Sequence, residues 1–250
     1  MSVDAAAFRL GDPRGGLAPA VLCLHGLTGT PYEVRPPAEA LAAAGFYCEG
    51  PLLPGHGTSP RELARVRWGA WVEAVLAAHD SLAERHDRVY VLGLSLGGLL
   101  ALRVAEERPV RGVAAFAVPF DLGWLVARSV PWLHRWVRQL PKTPAILDTE
   151  ARARHPGYDR MPLAAVHELL LLAGEVRAGL ARIQAPVLGI FSRLDPTVPV
   201  RNAELLMAGL SAGGHALHWL ERSGHVLPVD FERAILAAKV VEFLSALEKD

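Results

Sequence analysis

The sequence predicts an α/β fold, a mainly parallel sheet flanked by helices on both faces and interrupted once by a helical insertion. Three observations predict it. Apolar, strand-length runs alternate with helix-length stretches along most of the chain. The run Val89-Tyr90-Val91-Leu92-Gly93-Leu94-Ser95-Leu96-Gly97-Gly98-Leu99-Leu100 reads as a buried strand, then Gly-x-Ser-x-Gly, then a small-residue apolar helix. From Asp121 to about Arg182 the alternation stops. Pro131, Pro141, Pro144, Pro156 and Pro162 punctuate that block, which holds two to four helical segments and no convincing strand.

The elements follow in order. Ala5 to Leu10 reads as a first edge strand, closed by Gly11-Asp12-Pro13. Pro19 to Leu24 is a buried strand that runs into His25-Gly26-Leu27-Thr28-Gly29. Pro36-Pro37 suits a helix start and Gly45 its end. Phe46 to Glu49 is the next strand, followed by Pro51-Leu52-Leu53-Pro54-Gly55-His56-Gly57. Ser59-Pro60-Arg61-Glu62 has capping-box spacing, with proline at the first helical position. A longer helix then places Trp68, Trp71, Val72, Val75, Leu76 and Leu82 along one face. After the Ser95 unit come a strand at Gly112 to Val118, the insertion, and a strand at Val187 to Phe191. A helix at Asn202 to Gly209, a strand at Ala216 to Leu220 and a closing helix at Asp230 to Leu247 complete the chain, with Asp230 read as the cap of that helix.

The 250 residues, 51% hydrophobic, supply one sizeable core and room for one insertion rather than a second full domain. The expected division is a core of residues 1–120 and 183–250, with residues 121–182 as a helical cap above the carboxyl ends of the strands. Lys+Arg and Asp+Glu both number 26, and there is no basic block, which argues against nucleic acid as a main partner. Cys23 and Cys48 lie in apolar strand-like segments and read as small buried hydrophobes. Met1-Ser2-Val3-Asp4 lacks the basic and apolar regions of a signal peptide, and the longest apolar run is too short to span a bilayer. A soluble, cytoplasmic protein is therefore expected.

A serine hydroxyl needs a base to take its proton and a carboxylate to orient that base. With the nucleophile on a strand-to-helix turn, the acid and the histidine follow it in the chain. Asp195 follows the Val187–Phe191 strand, and His225 follows the Ala216–Leu220 strand in Ser223-Gly224-His225-Val226. Three loops thus converge on one sheet edge, making Ser95, Asp195 and His225 the catalytic candidates. Asp121 also follows a strand and is the competing acid. Among the 10 histidines, His215 and His218 also follow Asp195, but one lies in a loop at the opposite sheet end and the other inside a strand. His79, His86, His134, His155 and His167 read as surface or packing residues. The turn at His25-Gly26 lets the next N–H face the site, so the N–H groups of Leu27 and Leu96 are the expected oxyanion donors. His25, Gly26, His56 and Trp124 are candidate substrate contacts, with bonding of loop backbone as a second reading of His56. No metal-ligand spacing, phosphate loop or dinucleotide fingerprint occurs, so no metal or cofactor is expected.

Leu24-His25-Gly26-Leu27-Thr28-Gly29, Gly55-His56-Gly57, Gly93-Leu94-Ser95-Leu96-Gly97-Gly98, Asp195 and Ser223-Gly224-His225-Val226 together resemble the α/β-hydrolases. More narrowly, they resemble the small bacterial carboxylesterase and monoacylglycerol lipase family, from about Val21 to the end. The resemblance implies a Ser95–His225–Asp195 triad, oxyanion donors at Leu27 and Leu96, a short helical cap, and hydrolysis of carboxylic esters through an acyl-enzyme. It also favours Asp195 over Asp121. The expected substrates are short- to medium-chain acyl esters, with monoacylglycerols as one class in view. A thioesterase or a carbon–carbon bond hydrolase with the same triad is the alternative. The cap departs most from the family pattern, because Trp124, Trp132 and Trp136 make it unusually aromatic. Those rings have three readings: packing on the core, lining an acyl pocket, or touching lipid beside Arg128, Arg135 and Arg138.

Overall fold

The computed structural model describes residues 5–211 and 213–249. The reading of Met1–Asp4 lies outside them. Strands that are apolar at nearly every position have no face to offer to water. Accordingly β2 (Ala20–Leu24), β4 (Val89–Leu94), β5 (Val113–Phe116) and β8 (Val187–Ser192) are buried throughout. With β1 (Phe8–Leu10), β3 (Tyr47–Gly50) and β9 (Ala216–Leu220) they form a seven-stranded sheet in the order β1-β3-β2-β4-β5-β8-β9. Only the edge pair β1–β3 is antiparallel; the other five pairs are parallel.

Alternate residues of one strand enter opposite layers, as the period of two requires. Leu22, Leu24 and Val91 join one apolar cluster, while Val21, Cys23, Leu92 and Leu94 join the other. α3 (Trp68–Ala83) and α4 (Leu96–Glu107) cover the first face, and α1 (Arg35–Ala43) and α9 (Arg233–Leu247) cover the second. The short α2 (Pro60–Leu63) is capped as its sequence foretells, with Ser59 Oγ accepting the Glu62 N–H at 3.2 Å. α8 (Arg201–Gly209) follows β8. Cys23 and Cys48 are buried and unbridged.

Between β5 and β8 lie α5 (Trp124–Leu133), β6 (Gln139–Pro141), α6 (Thr149–Arg154), β7 (Arg160–Pro162) and α7 (Leu163–Gly179). The strands are a departure from the sequence reading: β6 and β7 pair antiparallel. Three residues each, with a proline at both carboxyl ends, leave no periodicity to read. α7 packs on α3, α4 and α5 and sends Leu172, Ala173 and Val176 into the first core cluster. Among the described residues of α5, only Val130 is buried.

Asp230 does not cap the closing helix. That helix begins at Arg233, and the Asp230 carboxylate turns back to accept four backbone N–H groups. They belong to Leu147, Asp148, Gly224 and Phe231, so the side chain joins the insertion to the loop that carries His225. Among the described residues, no helix is long and apolar enough to cross a membrane.

Candidate active site

β4 passes into α4 through Ser95, whose φ of +54° and ψ of −112° are strained for a residue with a Cβ. The turn fits because its flanking glycines have no side chain. A Cβ on Gly97 would stand 2.0 Å from the Leu24 carbonyl oxygen, and one on Gly93 would stand 2.0 Å from that of Gly97. Ser95 N–H donates to Phe116 O at 2.8 Å, which ties the turn to the neighbouring strand.

The loops after β8 and β9 bring a carboxylate and an imidazole to this turn. His225 Nδ1 lies 2.8 Å from Asp195 Oδ2, and His225 Nε2 lies 3.0 Å from Ser95 Oγ. An ionised carboxylate only accepts, so Nδ1 carries the proton and Nε2 offers its lone pair to the serine hydroxyl. Asp195 Oδ1 accepts the N–H groups of Thr197 at 2.7 Å and Val198 at 2.9 Å. Burial would raise the Asp195 carboxyl, but the His225 charge and hydrogen bond, with those two N–H groups, outweigh it and hold it below its usual value. The histidine loop is anchored in turn: His225 N–H donates to Ala145 O at 2.7 Å and Ser192 Oγ donates to Ser223 O at 2.5 Å.

Asp121, the competing acid, faces elsewhere: its carboxylate meets Arg201 at 2.7 Å and the Gly123 N–H at 2.7 Å. Leu27 and Ser95 line one cavity, and Leu96 follows Ser95 as the first residue of α4. No acceptor for the Leu27 or Leu96 N–H is found among the described residues. A helix N-terminus adds a favourable dipole for an anion there.

Three expected substrate contacts are placed otherwise. His25 is fully buried and does not line the cavity. Its Nε2 accepts the Leu53 N–H at 3.1 Å, so Nδ1–H donates to Gly26 O at 3.0 Å and the ring staples one loop to another. His56 is also buried, donates from Nδ1 to Pro54 O at 3.1 Å, and packs edge-on against His25. Burial, reinforced by His25, pushes its pKa down to about 3. Trp124 is 69% exposed on the outer side of α5, while Leu122 and Val126 face the cavity instead. Gly26 does line it. Trp132 and Trp136 are 71% and 85% exposed, so all three rings point to solvent rather than into core or pocket.

The cavity measures about 390 Å³. Its walls are mostly apolar, with Leu94, Pro119, Leu122, Val126, Met161, Val166 and Leu169 around Ser95 and His225. Two charged residues that sequence reasoning missed, Glu33 and Lys142, also line it. Glu33 Oε2 accepts the Gly26 N–H at 2.8 Å, and Oε1 lies 2.7 Å from His155 Nε2. Burial alone would raise Glu33, but His155, Lys142 and His25 together hold it at about 2. Burial lowers Lys142 against the opposing pull of Glu33, and its ammonium donates to Thr28 Oγ1.

A parallel sheet with a strained serine turn after one central strand, and with a carboxylate and a histidine on loops at the same edge, defines an α/β-hydrolase. The chain belongs to the alpha/beta hydrolase family, whose sequence model matches residues 21–238. It is 32% identical over 228 residues to a thermostable monoacylglycerol lipase of Bacillus sp. (strain H-257), covering 90% of each chain. It is 27% identical to a carboxylesterase of Bacillus subtilis (strain 168), covering 92% of this chain and 93% of that one. Among solved structures it superposes with a TM-score of 0.85, at 27% identity and over 100% of both chains, on one reported for LipS and LipT, two metagenome-derived lipolytic enzymes.

Proposed function

We propose that the protein is a serine hydrolase of carboxylic esters, acting through an acyl-enzyme on short- to medium-chain acyl esters, monoacylglycerols included. The observation that carries this reading is the continuous line from Ser95 Oγ through His225 to Asp195, in steps of 3.0 and 2.8 Å, at one side of an apolar cavity. Ester hydrolysis is also what the names of the two Bacillus relatives state.

His225 Nε2 takes the Ser95 proton as Oγ attacks the ester carbonyl, and the carbonyl π electrons move onto oxygen. The N–H groups of Leu27 and Leu96 receive that oxyanion, each such donor being worth about 2.7–4 kcal/mol in the transition state. The tetrahedral adduct collapses, the alkoxy bond breaks, and His225 gives its proton to the leaving alcohol. Water then adds to the acyl carbonyl as His225 takes its proton, and on collapse the bond to Ser95 Oγ breaks, His225 returns the proton to Oγ and the acid leaves. Asp195 holds the imidazole in the required tautomer throughout. Residues 121–182 serve as the cap of this site, since Leu122, Val126, Met161, Val166 and Leu169 supply much of its wall. The exposed Trp124, Trp132 and Trp136, with Arg128, Arg135 and Arg138 exposed beside them, support contact of that cap with lipid.

The test is a p-nitrophenyl ester series from acetyl to palmitoyl, wild type beside Ser95→Ala. Activity that peaks at short or medium chains and falls by about 10⁴–10⁶ in the variant is the expected result. Near-normal turnover by folded Ser95→Ala protein refutes the assignment.

A further inference from the structure

The residue after Leu27 is held in an unusual way. Thr28 has a φ of +66°, a left-handed backbone that a β-branched side chain rarely adopts. Such a conformation persists where its surroundings over-determine it. Here the surroundings come from the insertion. Tyr158 N–H donates to Thr28 O at 2.9 Å, and Lys142 donates to Thr28 Oγ1. Gly157 approaches so closely that a Cβ on it would lie 2.8 Å from Thr28 O.

The residue before Leu27 is held as well. Glu33 Oε2 accepts the Gly26 N–H at 2.8 Å. The carboxylate fits there because Gly29 has no side chain: a Cβ would stand 2.2 Å from Glu33 Oε2. Its other oxygen is taken by His155 Nε2 at 2.7 Å, across 122 residues of sequence. His155 Nδ1 accepts the Gly157 N–H at 3.2 Å, which fixes the proton on Nε2. Each atom of this chain is therefore assigned one role, donor or acceptor; it begins at the Gly26 N–H and ends at Gly157, whose sequence neighbour Tyr158 bonds Thr28 O.

Building on the serine-esterase reading, we infer that Glu33 and His155 are positioning residues that set the Leu27 N–H for the oxyanion, so that the insertion completes the hole. Neither needs to touch the substrate. A displaced donor stabilises the oxyanion poorly while leaving the acyl-binding walls intact, so the effect belongs in kcat rather than KM.

Glu33→Gln tests the hydrogen-bond polarity without a change of size. One amide oxygen can take the Gly26 N–H, but the amide nitrogen then faces the His155 Nε2 proton. Flipping the imidazole tautomer only moves the clash to the Gly157 N–H. His155→Leu removes the donor outright, and His155→Gln returns one whose amide nitrogen reaches the Nε2 position. The readouts are kcat and KM for a soluble p-nitrophenyl ester, normalised by active-site titration, and the affinity of a trifluoromethyl ketone that adds to Ser95 as an oxyanion. Glu33→Gln and His155→Leu are expected to lower kcat about 10- to 100-fold, with KM within about threefold, and to weaken the ketone by a matching factor. His155→Gln is expected to recover most of that loss.

Unchanged kcat, or a lower thermal midpoint with ketone affinity intact, overturns the inference and leaves the pair a stabilising contact. Equal loss in His155→Gln and His155→Leu overturns it too. Should Glu33→Gln fail to fold, the His155 pair decides alone. Turnover surviving in Ser95→Ala is a different failure, because it removes the esterase reading on which the positioning role rests.

Discussion

Replacing Asp230 by asparagine tests whether one buried carboxylate organises the histidine loop. The residue is fully buried, and each of its oxygens accepts two N–H groups. Oδ1 accepts Asp148 at 2.8 Å and Phe231 at 2.8 Å; Oδ2 accepts Leu147 at 2.8 Å and Gly224 at 2.7 Å. Asparagine has the same shape but keeps one acceptor oxygen. Whichever way it is turned, two N–H donors face an NH₂ group. Bonds to a charged acceptor are worth about 1.5–3 kcal/mol each, so losing two costs about 3–6 kcal/mol. Against a total stability of about 5–15 kcal/mol that is a large fraction. For a chain of this size it lowers the thermal midpoint by roughly 6–24 °C. Differential scanning calorimetry of wild type and Asp230→Asn measures it. Because Gly224 precedes His225, kcat is expected to fall as well, measured well below the midpoint where the variant is folded. A midpoint within about 2 °C of wild type would show that the four bonds do not carry this weight.

Two other expectations follow from residues elsewhere in the fold. His56 titrates at about 3 in the folded chain against an ordinary 6.5, so between those values the unfolded chain binds more protons. Stability is then lost as pH falls through that window, by up to about 1.4 kcal/mol per pH unit, and Glu33 extends the loss from 4.5 down to about 2. His56→Asn keeps a donor toward Pro54 but removes one titration; it should make the fall of the melting temperature between pH 6.5 and 4.5 shallower, with the buried His25, also lowered by burial, supplying the rest, and an unaltered slope would count against the assignment. The Ser95→Ala protein should sediment with phosphatidylglycerol vesicles and show a blue-shifted tryptophan emission, while a Trp124→Ser, Trp132→Ser, Trp136→Ser version stays in the supernatant; equal binding by both would remove lipid contact as the role of those rings.

What the sequence disclosed and what it hid divide by distance along the chain. The Ser95 turn was legible because Gly93 and Gly97, which permit it, lie within two residues of it. The strand-end positions of Asp195 and His225 followed from the alternation of strands and helices. Choosing Asp195 over Asp121 needed more than spacing, since both follow strands; in the fold β8 and β9 are neighbours, so their loops meet. His25 misled because its position at a strand end is right while its side chain turns inward to Leu53. Asp230 misled because a carboxylate three residues before a helix looks like a cap, yet two of its partners are residues 147 and 148. Glu33 and His155 gave no signal at all, because each acquires its meaning only beside the other.

The stretch from Ala145 to Asp148 has a bearing on how such proteins can be recombined. Its carbonyl and amide groups are bonded to Gly224, His225 and Asp230 across the fold, either directly or through the Asp230 carboxylate. α5, by contrast, leaves most of its surface to solvent and buries Val130 alone among its described residues. A chimaera that exchanges residues 124–138 for those of another family member replaces the outward-facing helix and leaves the histidine loop pinned. A crossover placed a few residues further on, inside 145–148, shifts the main-chain groups that meet His225 and the Asp230 carboxylate. The insertion is thus a graft with two halves, one open to exchange and one sewn into the parent fold.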